Sequence, residues 1–286
     1  MARNRGLQCL LLLLIPIWLA FCTNALEGEG TTEDLVWRLI GQLESRLADE
    51  REEARKRLEM LGAAAVPFLI RAMEAEDPIL RWEAVNLLGV LGDLRATDAV
   101  LAVATTDPDV HARWRANWAL THLDDGTVVP RLIATLSDGD STASWNAAVT
   151  LSLFGAVEAV SILHQGLIAE GWRKWEAVNA LGRVWNEETA ARLAAVLAQG
   201  SEDVRKEAAL SLGRIGSGLA LAALLDALRG DASPEVRWRA AMMIGHIGDT
   251  RAVDELWEIR SAEVHPRVIE HIDGAIELLA EPCLTE

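Results

Sequence analysis

The chain has 286 residues, enough for one large domain or two smaller ones, and 51% of them are hydrophobic, enough for a real core. Its net charge of −16 argues against general nucleic-acid binding, because an acidic surface repels phosphate backbones. Cysteine is limited to Cys9, Cys22 and Cys283, which excludes a disulfide framework once the N-terminus is processed, and 11 Trp beside no Tyr is a bias that asks for a cause.

Residues 1–25 read as a secretory signal peptide. Arg3 and Arg5 make a basic start, the run from Leu10 to Phe21 is apolar, and Thr23-Asn24-Ala25 supplies the small residues of a cleavage site. The apolar run is short for a membrane span. An uncleaved anchor is the alternative, and the bulky Phe21 beside Cys22 speaks against lipidation. The expectation is therefore export to a periplasmic or extracellular location. Membrane contact would arise only if the leader is retained or Cys22 carries a lipid.

Residues 26–48 are expected to be a linker and an N-terminal capping helix. EDLVWRLIGQLESRLA (33–48) places Leu35, Leu39, Leu43 and Leu47 on one helical stripe.

From 49 to 280 the chain repeats itself. RWEAVNLLG at 81–89 returns as KWEAVNALG at 174–182. With the alanine of this stretch as an anchor, equivalents fall at Ala54, Ala84, Ala116, Ala147, Ala177, Ala208 and Ala240, and a degenerate copy falls at Ile272. So regular a spacing, about thirty-one residues, predicts a solenoid of seven to eight units. In PEVRWRAAMMIGHIGD (234–249), Val236, Ala240, Ile244 and Ile247 form one helical stripe, Pro234 suits a first turn, and Gly248 marks the stop. Gly62, Gly92 and Gly216 stand at the same place in other units. A second helix per unit is read from VPFLIRAM (66–73), VVPRLIATL (128–136), AARLAAVLA (190–198) and LALAALLDAL (219–228). No stretch alternates like a β-strand, so the fold class is all-α. Residues 281–286 are left as a tail.

These units resemble HEAT repeats, specifically the short class also found in phycobilin lyases. The resemblance is carried by DPILRWEAVNLLGVLGDLRATDAVLAV (77–103), DVRKEAALSLGRIGSGLALAALL (203–225) and PEVRWRAAMMIGHIGDTRAVDEL (234–256). Three departures stand out: Asp124 and Trp185 replace the last glycine, and Ser144 replaces the arginine. The resemblance implies an α-α superhelix whose first helices line a concave side. It also implies that Arg113, Arg205 and Arg237 bridge to loop acids, with Asp107, Asp203 and Asp231 as the candidates.

The tryptophans occupy one repeat position. At about 100° per residue, Trp238 falls about 200° from Val236, opposite the core stripe. Trp82, Trp114, Trp145 and Trp175 are its counterparts, and Asn86, Trp118 and Asn179 lie one turn further along the same face. Two readings are open: a binding surface for a protein or extended peptide, or an internal ladder against the next repeat. The pairs Trp82/Asn86 and Trp175/Asn179 resemble the Trp-x-x-x-Asn of armadillo repeats, which implies an asparagine amide gripping a bound main chain. Basic residues gather on the same helix: Arg81, Arg113, Arg115, Arg173, Lys174, Arg205, Lys206, Arg237 and Arg239.

No catalytic or metal motif is present in the sequence, so the expectation is a non-catalytic exported scaffold with a protein or peptide partner, no cofactor and no nucleic acid. The alternative, a lyase-like or pigment-handling protein, is favoured by the resemblance alone. A signal peptide counts against it, because phycobilin attachment belongs to the cytoplasm.

Overall fold

The structure is a computed structural model that describes residues 31–137 and 141–280. The leader, Cys22 and the tail with Cys283 lie outside the described residues. Those residues form two compact units, the first from 31–103 with 107–124, the second from 104–106 with the described residues of 125–280. Every regular element among them is helical.

The first unit opens with α1 (Thr32–Gln42), α2 (Ala48–Leu61) and α3 (Val66–Ala72). It continues with α4 (Pro78–Leu91), α5 (Thr97–Thr106), whose last three residues belong to the second unit, and α6 (Val110–Leu120). Thr31 and Asp34 cap α1 reciprocally, each side chain taking the other's backbone N–H. The helix stops at Gln42, so the expected stripe to Leu47 is cut short. Leu39 and Leu43 of that stripe are buried, together with Val36 and Ile40, whereas Leu35 is half-buried and Leu47, the residue before α2, is 61% exposed. The reason lies in Leu43 and Glu44, which turn back onto the carbonyls of Ile40 and Gly41 and end the regular ladder.

The second unit holds ten helices among its described residues: α7 (Val128–Leu136), α8 (Ser141–Leu153), α9 (Val160–Gly166), α10 (Trp172–Leu181), α11 (Glu187–Gln199), α12 (Glu202–Ile215), α13 (Gly218–Gly230), α14 (Pro234–Ile247), α15 (Val253–Ala262) and α16 (Pro266–Ala280). Within each unit the first helix of a pair packs on the first helix of the next, α4 on α6, α12 on α14 and α14 on α16. The predicted stripe is the core: Val236, Ala240 and Ile244 are fully buried, and Ile247 is half-buried. Gly92, Gly216 and Gly248 end α4, α12 and α14 in the left-handed conformation, with φ of 63°, 65° and 78°.

The glycine that closes the repeated nine-residue stretch has a different purpose. A Cβ on Gly89 would meet Ala119 Cβ at 2.8 Å, and one on Gly182 would meet the Ser211 Cα at 2.7 Å. The bare backbone is what allows successive first helices to approach so closely.

Arginines fasten one repeat to the next, and they do so forwards. Arg81 pairs with Asp107 through two hydrogen bonds, Nε at 2.8 Å and Nη2 at 2.9 Å. Arg205 pairs with Asp231 at the same two distances, and Arg237 with Glu263 at 2.8 and 3.1 Å. In all three the acid lies 26 residues downstream. This corrects the expected partners. Arg113 donates to the carbonyls of Asp107 and Pro108, while the Asp107 carboxylate is held by Arg81. Asp203 lies two residues before Arg205 on one helix, where side chains point apart, and pairs with Lys206 instead. Asp231 accepts from the Ser233 N–H as well, so one carboxylate shapes its loop and receives the preceding repeat's arginine. The guanidinium of Arg205 is raised above its ordinary pKa, first by its hydrogen bonds to Asp231.

Candidate functional site

The tryptophan positions share a place in the repeat and differ in fate. In the first unit Trp114 is 69% exposed, and Trp118, one turn along, is exposed and leans on His122 with centroids 4.5 Å apart and planes tilted by 45°. Trp82 is half-buried beneath Arg115, whose guanidinium carbon lies 5.2 Å from the ring centroid. Asn86 accepts a long hydrogen bond, 3.4 Å, from the same arginine.

In the second unit Trp145 is buried, only 6% exposed, which corrects its place on an open surface. Its indole Nε1 donates to Glu176 at 2.6 Å, Arg173 lies 4.4 Å above its ring, and it fills the space beside Gly166, where a Cβ would come within 2.3 Å of it. Trp238 is half-buried against the next repeat, with Arg239 and Arg267 at 4.3 and 4.2 Å from its ring and His271 at 4.8 Å. Its own Nε1 is buried and finds no hydrogen-bond partner among the described residues. The physical reason is common to Trp82, Trp145 and Trp238. A residue about 200° from the core stripe still faces sideways, and its ring leans onto α6, α10 or α16 of the following repeat.

Asn179 does not offer a free amide. Nδ2 donates to Glu207 at 2.6 Å, and Oδ1 accepts from Arg183 at 2.5 Å. Both ends of the amide are engaged within the unit, which leaves one N–H and one lone pair for the armadillo-like role expected of it. The neighbouring glutamate explains the pattern. Glu83, Glu176 and Glu207 occupy one repeat position, and each receives a donor from the repeat before it: Arg55, Trp145 and Asn179 respectively.

Trp175 is different again. It stacks on Trp172 of its own helix, with centroids 4.6 Å apart and planes 21° from parallel, and Trp172 is 59% exposed. Gly171, with φ of 63°, turns the chain into α10 just before this pair. The two rings form one wall of a groove of about 680 Å³ across α10, α12 and α14. Lys174, Lys206 and Arg239 line it as well, together with Asp203 and Glu207. Sequence reasoning missed Trp172 because it has no counterpart in the other repeats. Its signal was local: a Trp-x-x-Trp spacing puts two indoles on the same helical face. No group of acidic, histidine or cysteine side chains among the described residues is arranged to hold a metal.

The geometry therefore assembles two aromatic surfaces, one in each unit. Trp114 and Trp118 make the first; Trp172 and Trp175, with their basic neighbours, make the second. Both offer exposed indole surface, and the second is flanked by Lys174, Lys206 and Arg239.

Comparison with known proteins agrees with this architecture. No curated protein sequence matches the chain. Escherichia coli YibA is 18% identical over 86% of this chain and 92% of its own, with a TM-score of 0.51. Kap95p, solved in a study of its binding to RanGDP, is 13% identical over 87% of this chain and 41% of its own, with a TM-score of 0.57. The CpcE–CpcF phycocyanin lyase complex of Nostoc is 23% identical over 85% of this chain and 94% of the matched chain, with a TM-score of 0.46. The family model for HEAT repeats matches residues 38–120, 97–182, 170–231 and 189–275, and the chain belongs to the HEAT-repeat family.

Proposed function

We propose that this chain is a non-catalytic, exported binding scaffold that engages a protein or an extended peptide through its exposed tryptophans. The observation that supports it most is the stacked Trp172–Trp175 pair beside a groove of about 680 Å³. Indoles left open to water are costly unless something covers them, and clustered exposed aromatic surface marks interaction sites. Export rests on the basic start, apolar run and small residues of 1–25. The HEAT architecture is compatible with a protein partner, and Kap95p, of the same fold, binds RanGDP.

The test is capture from the extracytoplasmic fraction on immobilised protein, with wild type beside Trp114→Ala/Trp118→Ala and Trp172→Ala/Trp175→Ala. A polypeptide retained by wild type and lost from one of the double variants, at unchanged melting temperature, is the expected result. Equal retention by all three proteins would remove the tryptophans from the reading.

A further inference from the structure

Charge pairing in the second unit is uneven. Arg192, Arg205, Arg229, Arg237, Arg251 and Arg260 each hold a carboxylate. Arg173, Lys174, Arg183, Arg239 and Arg267 hold none within 4.0 Å among the described residues, although the chain has 43 acidic side chains for 27 basic ones; Arg173 lies over Trp145 and Arg183 donates to Asn179. Where acids are in excess, cations left without a carboxylate are set apart by position. Of these, Arg173, Lys174, Arg239 and Arg267 lie on first helices, and Lys174 and Arg239 line the groove beside Trp172 and Trp175.

The groove's own acids are largely satisfied. Asp203 pairs with Lys206 at 2.6 Å, and Glu207 accepts from Asn179 with Arg214 at 3.6 Å. Glu170, exposed at the rim, is the remaining carboxylate of the lining. Arg239 and Arg267 are also preorganised, because both guanidinium groups rest on the Trp238 ring. A guanidinium lying on an indole keeps its N–H donors at its rim, in the fork that fits a carboxylate.

We propose that this groove takes an extended, acidic peptide segment, whose carboxylates meet Lys174, Arg239 and Arg267 while its apolar side chains cover Trp172 and Trp175. The inference rests on reading the chain as a peptide binder and names the chemistry of the peptide. The first helices α10, α12, α14 and α16 succeed one another at about 8–10 Å, which gives a track of roughly 25–30 Å. At about 3.3 Å per residue that is room for about eight or nine residues. Cations beside stacked indoles would also suit a single-stranded nucleic acid, but a net charge of −16 opposes a polyanion far more than a short acidic segment.

The experiment is selection of a randomised decapeptide library on the immobilised full chain, followed by fluorescence anisotropy of the selected peptides. The expected winners carry net negative charge. Their affinity should fall about tenfold or more in Arg239→Ala/Arg267→Ala and, with less risk to folding, in Lys174→Ala. Added salt should weaken binding to wild type more than to the double variant. Neutral or basic winners that need Trp172 and Trp175 would overturn the acidic preference and leave the peptide-binding scaffold standing. Displacement of the winners by a thymidine oligonucleotide at lower concentration than by acidic peptide would overturn it in favour of nucleic acid. If no selected peptide depends on the tryptophan pair, the inference and the scaffold reading fall together.

Discussion

Helices α12 and α14 can be set against α6 and α10. All four are first helices of their repeats, yet α12 and α14 run for 14 residues and end on a left-handed glycine, whereas α6 and α10 run for 11 and 10 and end at Leu120 and Leu181. The shorter pair belongs to the two repeats in which Asp124 and Trp185 replace the last glycine. The same pair carries the exposed indoles Trp114, Trp118 and Trp172, while the one tryptophan on the longer pair, Trp238, is half-buried. The forward arginine pairs of Arg205 and Arg237 also belong to the longer helices. The difference teaches that the last glycine and the exposed indoles go together in these four helices: where the glycine is kept the tryptophan leans on the stack, and where it is lost the indoles face outward.

The sharpest way to break this division is to truncate tryptophans of equal repeat position and unequal burial. Trp145→Ala should cost about 3–5 kcal/mol, since it empties a packed site and strands the Glu176 carboxylate. Thermal melting would show the loss as a large drop in Tm. An unchanged Tm would mean that burial at this position carries no weight.

Removing an arginine comes next. Arg237→Ala leaves Glu263 buried without its partner, and the expected cost is about 2–4 kcal/mol by denaturant titration, somewhat below a fully buried pair. The pair also sets an acid limb. The Arg237 guanidinium holds the Glu263 carboxyl below its ordinary pKa, helped by backbone N–H groups of His265 and Val264. A carboxyl depressed in the folded state contributes fully above its unfolded pKa, about 4.3, and loses that contribution as pH falls through the folded value. Wild type should therefore lose more stability than Arg237→Ala between about pH 5 and 3. Parallel curves would exclude the pair as a source of the acid limb.

A methyl group sharpens the comparison on the packing side. Gly182→Ala should gain helix propensity in isolation, yet here its Cβ meets the Ser211 backbone, so the expected net effect is a loss of about 1–3 kcal/mol. Stabilisation would show that α10 and α12 can move apart freely. The smallest effect belongs to Trp114→Ala, expected within about 0.5 kcal/mol of wild type because the ring is exposed. A loss as large as that at Trp145 would make the row a uniform ladder.

The repeat, the helix pairs and the glycine stops were legible in the sequence because each depends on local periodicity that a single chain displays. Val236, Ala240 and Ile244 needed nothing beyond spacing to be placed in the core. The partners of the arginines were not legible, since Arg205 chooses between Asp203 and Asp231 by direction, which only the stacking of α12 on α14 decides. The site was half visible for a related reason. Alignment by repeat position ranked Trp145 with Trp114, although Gly166 and Glu176 make room for one and nothing comparable covers the other. It passed over Trp172 because that residue has no counterpart. Averaging over repeats reveals what the stack requires and hides what a single unit adds.

The arginine pairs make the stack divisible. Arg205 and Arg237 stand 32 residues apart, as do their acids Asp231 and Glu263, because each bond spans 26 residues. Excising 206–237 would therefore set Arg205 as far from Glu263 as it now stands from Asp231, and duplicating the same block would install a further complete pair. A chain fastened in this way can lengthen or shorten by whole units without retuning either flank. Unequal recombination that removes or repeats such a block would keep the pairing intact, and it would carry the exposed tryptophans of the irregular repeats to new spacings on a support that rejoins itself.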